Sequence, residues 1–264
     1  MTEPGGVGSD QAPSSKAWPE AVPLPLTGNA VWHVALTLDD ARRASCALFL
    51  EDDERGRADR FLRREDRDRF LASHAALRII LAGVLGLNPR TLAFTTSPMG
   101  RPSLAGEAGL AGRNARLDFN LSHSGDHALV ALSTTSRIGV DIEAHRPLPD
   151  ALRIARAHFH PREVAALEAV GPDRETAFYG VWTAKEAFVK ATGTGLSTPL
   201  SGFAVSAPPA PPALLTATDT APAAWTLIRL APAPRTTGAV AIEAPDAACR
   251  FARLPTDWAD RPIA

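Results

Sequence analysis

WTAKEAFVK (residues 182–190) can be laid on an earlier stretch of the chain, FLASHAALR (residues 70–78). Aromatic residues align at the first position, alanines at the third and sixth, and basic residues at the ninth. After a three-residue gap, Gly-Leu, Phe and Ser recur at the same spacing in residues 86–97 and 195–206. Alanine-rich helices often match by chance, but the matched downstream spacing favours a duplication. We therefore predict an α+β fold: two similar α/β halves forming an intrachain pseudo-dimer, with the active site in the cleft between them.

Strand-like and helix-like patterns alternate along the chain. We predict helices over residues 51–85, 150–170 and 175–192, and strands over residues 31–38, 92–96, 116–121, 128–133, 137–143, 202–206, 225–230 and 238–243.

Composition divides the chain into segments. Pro, Gly and Ser dominate residues 1–28, which we interpret as a disordered N-terminal tail. Residues 29–134 are the predicted N-terminal half, and residues 135–250 are the C-terminal half, interrupted by a Pro- and Ala-rich loop at 207–223. Residues 251–264 are interpreted as a loosely docked C-terminal tail.

Charge and composition narrow the class of protein. The 264 residues are 45% hydrophobic and 22% charged, with a net charge of −1, so no basic field favours nucleic acid. No apolar run has the length of a membrane span, and the N-terminus lacks the pattern of a secretory signal. Cys46 and Cys249 form no disulfide framework and no metal-binding spacing. We expect a cytoplasmic monomer that binds neither nucleic acid nor membrane.

IGVDIE (residues 138–143) has two carboxylates on one strand face. Side chains alternate along a strand, so the branched residues point into the core while Gly139, Asp141 and Glu143 share the other face. Two carboxylates beside a glycine make an oxygen-rich site with room for a ligand, which suits Mg²⁺. Taken alone, the pattern is explained better by a solvated strand face.

The helix over 175–192 carries charged residues on the same side as an aromatic residue. Glu186 and Lys190 are four residues apart and share a face, with Trp182 one turn earlier. If this helix crosses the strand, Glu186 completes the carboxylate set. The alternative is an ordinary amphipathic helix with a surface Glu–Lys pair.

Three further segments offer phosphate-binding groups. NLSHSG (residues 120–125) is typical of a hairpin connection, but Ser122 and His123 could also hold a phosphate. A Ser–His pair also suggests a hydrolase, although no G-x-S-x-G is present. Seven arginines between residues 55 and 69 form either a self-paired surface or a partial phosphate site, and Arg101 is a second basic site in a turn.

Order and spacing make these motifs specific in combination. FNLSHSG (119–125), IGVDIE (138–143) and WTAKEAFVKATGTGL (182–196) together resemble the 4′-phosphopantetheinyl transferases, and the length and repeat resemble the Sfp-type branch. A looser likeness runs from about residue 48 to 206. The resemblance implies that coenzyme A binds with Mg²⁺ in the cleft. Its 4′-phosphopantetheine arm is then transferred to a serine of an apo acyl or peptidyl carrier protein, releasing adenosine 3′,5′-bisphosphate.

The resemblance also implies roles for individual residues. Asp141, Glu143 and Glu186 match the metal ligands, and Glu186, Lys190 and Asp141 match the catalytic set, with Glu186 as candidate base. Coenzyme A contacts fall on Arg57, Arg69, Arg101, Ser122, His123, Lys185 and Lys190.

Three positions qualify this carry-over. Arg101 stands where the family motif G-K-P has lysine. Glu54 stands at a family basic position, which removes one nucleotide contact unless Arg55 replaces it. Glu163 matches a family acid whose role is less settled.

A non-catalytic regulator that binds coenzyme A or a nucleotide is the alternative function. The intact set of Asp141, Glu143, Glu186 and Lys190 argues against it. Nothing in the sequence distinguishes a carrier of fatty acid, polyketide or nonribosomal peptide synthesis, or indicates tolerance for acyl-coenzyme A.

Overall fold

The computed structural model describes residues 26–106, 117–195 and 198–260. Most of the predicted N-terminal tail, to residue 25, and residues 196–197 of the repeat lie outside the described residues. The helices are α1 (Asp40–Phe49), α2 (Asp52–Ala58), α3 (Arg64–Leu85), α4 (Ala151–His158), α5 (Pro161–Ala169) and α6 (Arg174–Thr192). The strands are β1 (Asn29–Ala35), β2 (Phe94–Thr96), β3 (Pro102–Leu104), β4 (Asp118–Ser124), β5 (His127–Ser133), β6 (Ile138–Ala144), β7 (Ala204–Val205), β8 (Leu214–Thr216), β9 (Thr226–Leu230), β10 (Thr236–Ile242) and β11 (Cys249–Arg253).

Two of the predicted helices are each divided in the structure. Residues 51–85 form α2 and α3, and residues 150–170 form α4 and α5. Pro161 is the first residue of α5, and a proline cannot continue the hydrogen-bond ladder of the preceding helix. The sequence prediction also omits α1, β3, β8 and β11. Strands β3 and β8 have three residues each, which are too few for alternation to be recognised.

The same order of elements and strand pairings occurs twice. In the first half, β1 is followed by helices, the β2–β3 pair, β4 and β5, and the strands lie in the order β1-β5-β4. In the second half, β6 is followed by helices, the β7–β8 pair, β9 and β10, in the order β6-β10-β9. All of these pairs are antiparallel. This repetition confirms two similar halves.

The helix register of the repeat differs from the sequence match. Arg78 of α3 is fully buried and donates to Glu54 Oε2 at 2.7 Å and to a backbone carbonyl just before β2. Lys185 of α6 is fully buried and donates to Glu163 Oε1 at 2.7 Å and to a carbonyl just before β7. Both acids occupy the third position of a helix capping box.

Arg78 and Lys185 therefore occupy equivalent places. Each also lies eight residues before the left-handed glycine, Gly86 or Gly193, that ends its helix. The sequence match had paired Arg78 with Lys190, which is wrong by five residues, a rotation of about 140° around the helix. Alanine-rich helices tolerate such a slip, because small residues recur at several spacings.

The two sheets face each other between two layers of helices. Side chains of β1 and β5 meet those of β6, β9 and β10 in a shared core that includes Leu129, Val140 and Val240. The opposite faces pack on α1 and α3 in the first half, and on α4 and α6 in the second. The prediction that Ile138, Val140 and Ile142 point into the core is confirmed.

The C-terminal segment belongs to the first half. Strand β11 pairs in parallel with β1, from Asn29 opposite Cys249 to His33 opposite Arg253, and Trp258 is only 5% exposed. The interpretation of residues 251–264 as a loosely docked tail is wrong as far as residue 260, and residues 261–264 lie outside the described part.

The predicted loop at 207–223 contains β8. Cys46 and Cys249 are free thiols. No described helix is long and apolar enough to cross a membrane.

Candidate active site

Gly139 brings strand β6 and helix α6 into backbone contact. A Cβ atom at this position would lie 2.2 Å from Ala187 O and 2.4 Å from Ala191 N. The expectation that Gly139 leaves room for a ligand is therefore wrong, because the helix fills this space. The same contact places Asp141 and Glu143, on the Gly139 side of β6, beside α6.

Asp141 uses its two carboxylate oxygens differently. The residue is 5% exposed, and Oδ1 accepts hydrogen bonds from Ser122 Oγ at 2.8 Å and Lys190 Nζ at 2.6 Å. Oδ2 is buried and has no hydrogen-bond partner among the described residues. A buried carboxylate oxygen without a partner is rare in proteins and is suited to accepting a bound cation.

Glu143 and Glu186 lie in the same electrostatic environment. Burial raises the pKa of Glu143, as does the Asp141 carboxylate, while a hydrogen bond from Ser124 opposes the shift. Burial also raises the pKa of Glu186, with further increases from Asp141 and Glu143 and an opposing effect of Lys190. Acids that repel one another in a partly buried site are suited to binding a divalent cation or to accepting a proton.

The three predicted metal ligands do not form a closed cage. In the described part of the chain, no three His, Cys, Asp or Glu side chains are grouped closely enough to hold a metal ion by themselves. The arrangement is thus open, with carboxylates that interact electrostatically across α6 and β6.

A cavity of about 670 Å³ lies between the two halves. Its walls include Arg101 and Asn120 from the first half and Trp182, Glu186 and Lys190 from the second. The volume falls within the range of small-molecule and cofactor sites.

Alternate side chains of β4, which the sequence motifs did not single out, join the two halves. Asp118, Asn120 and Ser124 each accept a hydrogen bond from a backbone N–H of β6, at 2.8, 2.9 and 3.1 Å. The segment interpreted as a hairpin connection is therefore mostly strand, and the turn follows at Gly125. A polar residue at every second position of DFNLSHS was the available signal.

Ser122 and His123 point to opposite faces of β4. Ser122 is 7% exposed and lies between Asp141 and Lys190, accepting from Lys190 Nζ at 2.9 Å. Partial burial lowers the pKa of His123, as do the cations of Lys190 and Arg69. Because neighbouring strand residues diverge, they form no Ser–His pair of the kind that a hydrolase needs.

Arg57, Arg69 and His123 form one basic patch. Arg57 lies over the ring of Phe70 at 5.3 Å, and Arg69 bonds to Asp126 at 3.0 Å. Burial lowers the pKa of His74 to about 4, and the cations of Arg57 and His123 contribute, which places both near the same imidazole. The patch continues towards Lys190, whose charge acts on His123.

Arg101 is placed differently from its predicted role. Its guanidinium donates to Asp118 Oδ2 at 2.7 Å, to Ile138 O at 2.9 Å, to Ala191 O at 3.0 Å and to Lys190 O. These contacts direct its guanidinium between the two halves, while the residue also lines the cavity. The expected contact of Arg101 to coenzyme A stays a prediction.

Lys185 does not reach the cleft. It is fully buried in a two-oxygen ion pair with Glu163, at 2.7 and 2.8 Å. The prediction that Lys185 contacts phosphates of coenzyme A is therefore wrong, because its ammonium already has three acceptors in the interior. Glu163 is its internal counter-ion.

Arg55 does not replace the basic residue that Glu54 displaces. Its guanidinium bonds to Leu50 O and to the Asp52 carboxylate. Glu54 is the ion-pair partner of Arg78. Residue 54 of the first half is therefore part of a buried ion pair and is not a basic residue of the cleft.

Comparison with known proteins agrees with these features. Residues 137–243 match a model of the 4′-phosphopantetheinyl transferase superfamily, and residues 40–135 match a 4′-phosphopantetheinyl transferase N-terminal domain. Over 214 residues the chain is 38% identical to the 4′-phosphopantetheinyl transferase HetI of Nostoc sp., covering 80% of this chain and 86% of HetI.

Two other relatives match over shorter regions. The chain is 44% identical to slr0495 of Synechocystis sp. over 151 residues, 56% of this chain and 59% of that protein. It is 32% identical to the 4′-phosphopantetheinyl transferase Sfp of Bacillus subtilis over 158 residues, 60% of this chain and 66% of Sfp. The extent of the match to HetI, together with the two matched domains, shows that this chain belongs to the 4′-phosphopantetheinyl transferase family.

Proposed function

We propose that this protein transfers the 4′-phosphopantetheine arm of coenzyme A to a serine of an apo acyl or peptidyl carrier protein, releasing adenosine 3′,5′-bisphosphate. The observation that carries the proposal is the environment of Asp141. Its Oδ2 is buried without a described partner, next to Lys190 and Glu186 of the inter-half cavity. A pyrophosphate in this cavity would meet carboxylates and an ammonium at the same place.

Magnesium fits the donor set. All three candidate ligands are oxygen donors, and Mg²⁺ in proteins is usually held by one or two carboxylates together with substrate phosphates. Asp141 and Glu143 would hold the ion from β6 and Glu186 from α6. When bound, the ion would neutralise the pyrophosphate and orient it for attack.

Glu186 is the proposed base. It lines the cavity beside Lys190, where it could take the proton directly or through a water. The proton comes from the carrier serine hydroxyl, whose oxygen attacks the β-phosphate as the bond to the leaving bisphosphate breaks. Lys190 would stabilise the charge that develops on the phosphate oxygens.

The basic patch is the proposed site for the phosphates of the nucleotide end. Arg57 and Arg69 present cations there, and His123 adds an imidazole that can donate a hydrogen bond. Ser122 would add a hydroxyl donor after exchanging its bond to Asp141 for a phosphate oxygen.

The test is incubation with coenzyme A, Mg²⁺ and a panel of apo carrier proteins, followed by mass spectrometry of each carrier. We expect at least one carrier to gain the phosphopantetheine mass, and loss of that gain when EDTA removes the metal. Glu186→Gln should lower kcat about 100-fold. The control is Arg42→Lys, at a surface ion pair with Asp260, which should match the wild type. Unchanged masses across the panel would contradict the proposal, and the responding carriers would identify the pathway.

A further inference from the structure

Arg101 is held in a tight turn of the first half. The turn between β2 and β3 is closed by Ser97 N–H to Arg101 O and by Arg101 N–H to Ser97 Oγ, at 2.9 and 3.0 Å. Gly100 within it has a φ of 85°, which favours glycine. The backbone position of Arg101 is therefore fixed by the turn itself, independently of the contacts of its side chain.

The guanidinium of Arg101 binds three elements at once. Nη2 reaches Asp118 of β4 and the carbonyl of Ile138 in β6, and Nη1 reaches the carbonyls of Lys190 and Ala191 in α6. Asp118 Oδ2 also accepts from Ile138 N–H at 2.8 Å. The side chain is 17% exposed. One first-half residue therefore ties together the strand and the helix that carry the candidate active site.

The carbonyls that Arg101 binds belong to the last turn of α6. The last four carbonyls of a helix lack intrahelical donors, and the negative end of the helix dipole favours a cation there. One of these carbonyls is that of Lys190 itself. Holding this backbone atom fixes the point from which the Lys190 side chain extends to Asp141 and Ser122.

Arginine is required for this arrangement. Its planar fork offers several N–H donors in fixed directions, whereas a lysine ammonium is a single compact point that cannot reach acceptors on both sides of a seam.

We propose that Arg101 is a positioning residue: together with Asp118 it clasps the end of α6 to β6 and so sets the position of Lys190. This inference rests on the proposed function, since it concerns the same reaction. In this role Arg101 acts through Lys190 rather than as a nucleotide ligand.

Arg101→Lys is the main test, with Arg42→Lys as the matched control. We expect Arg101→Lys to lower kcat about 10- to 100-fold, because a small misplacement of a catalytic group has effects of that size. The affinity for adenosine 3′,5′-bisphosphate, measured by calorimetry, should stay at the wild-type value. Weaker bisphosphate binding with kcat retained would overturn the proposal and restore Arg101 as a ligand.

Hydrogen exchange supplies a readout that does not need turnover. Amides of residues 187–193 in the ligand-free protein should exchange faster in Arg101→Lys than in the wild type, and equal rates would overturn the proposal. If Arg101→Lys fails to fold, Asp118→Asn removes one charge of the clasp and should show the same changes at smaller size. A wild type that modifies no carrier would contradict the proposed function, while the exchange experiment would still decide the role of Arg101.

Discussion

Two lysines five residues apart in one helix have opposite environments. Lys185 is fully buried against Glu163, and burial lowers its pKa to about 8 although the Glu163 carboxylate opposes the shift. Lys190 lies at the cavity and bonds to Asp141 and Ser122. A helix rotates by about 100° per residue, so a five-residue spacing places the two side chains on different faces. Their roles follow from what each face meets.

Breaking the buried pair should be costly, because removing one partner leaves the other charge in the interior. We expect Lys185→Met or Glu163→Gln to lower the free energy of unfolding by about 3 kcal/mol or more. The double variant should lose less than the sum of the two. Urea unfolding of all four proteins measures this coupling, and strictly additive losses would show that the pair is not coupled.

The buried His33 should make the free energy of unfolding depend on pH. Its Nε2 lies 3.1 Å from His127 Nδ1, and burial lowers the pKa of His33 to about 3, with contributions from His127 and Arg253. The unfolded chain binds this proton near the ordinary value of about 6.5. Stability from the neutral imidazole is therefore present above that value and is lost as pH falls towards 3, by about 1.4 kcal/mol per pH unit.

The measurement is the free energy of unfolding between pH 7 and 4.5 for the wild type and His33→Gln. The variant should show a slope smaller by about one proton, whatever its absolute stability. Equal slopes would remove His33 as the source of the effect.

At the scale of elements, the contact between β6 and α6 decides where the candidate active site lies. Gly139 lets the two backbones approach, so Asp141 and Lys190 can bond directly. Strand β4 also lies along β6, and its alternate polar side chains accept hydrogen bonds from the β6 backbone. The three elements contribute different groups: carboxylates from β6, the proposed base and an ammonium from α6, and hydroxyl and imidazole groups from β4.

Gly139→Ala tests this contact. The added methyl group would clash with helix backbone rather than with a flexible side chain, so α6 must move. We expect a loss of about 3 kcal/mol in the free energy of unfolding and a large fall in kcat.

Gly83→Ala is the matched control for that variant. It lies in α3 with nothing within 4 Å of the added methyl group, so it should be neutral or stabilise the protein by up to about 1 kcal/mol. A Gly139→Ala protein as stable and active as this control would contradict the close approach.

At the scale of the whole molecule, the chain closes on itself. Strand β11 follows the second half in sequence but pairs with β1 of the first half, across more than 200 residues. The two halves are thus connected twice, by the core that their sheets share and by the pairing of β11 with β1. We therefore expect the halves to unfold together.

Truncation after residue 248 tests the closure. The loss of β11 would expose the edge of β1 and the surface beneath Trp258. We expect faster hydrogen exchange throughout β1 and a lower melting temperature, although every deleted residue follows β10, the last strand of the second sheet. Unchanged protection of β1 would contradict this role of the C-terminal strand.

Much of the local structure and the candidate site could be predicted from the sequence. Alternation placed Asp141 and Glu143 on one face of β6, and helical spacing put Glu186 and Lys190 together on α6, because both patterns repeat at short range. The division at Pro161 was also readable, since its cause lies in one residue. The resemblance identified the family from the order of its motifs.

Residue identities by themselves determined the two-half architecture, the strand face with two acids and the helix face with an acid and an ammonium. Only the tertiary structure decided that Lys185 and Arg101 bind acceptors of the protein itself, that β4 joins the two halves, and that β11 belongs to the first half. Periodicity acts over a few residues, whereas the acceptors of Arg101 come from residues 17 to 90 positions away. A basic residue is read the same way in sequence whether its partner is a substrate phosphate or a carbonyl of its own fold.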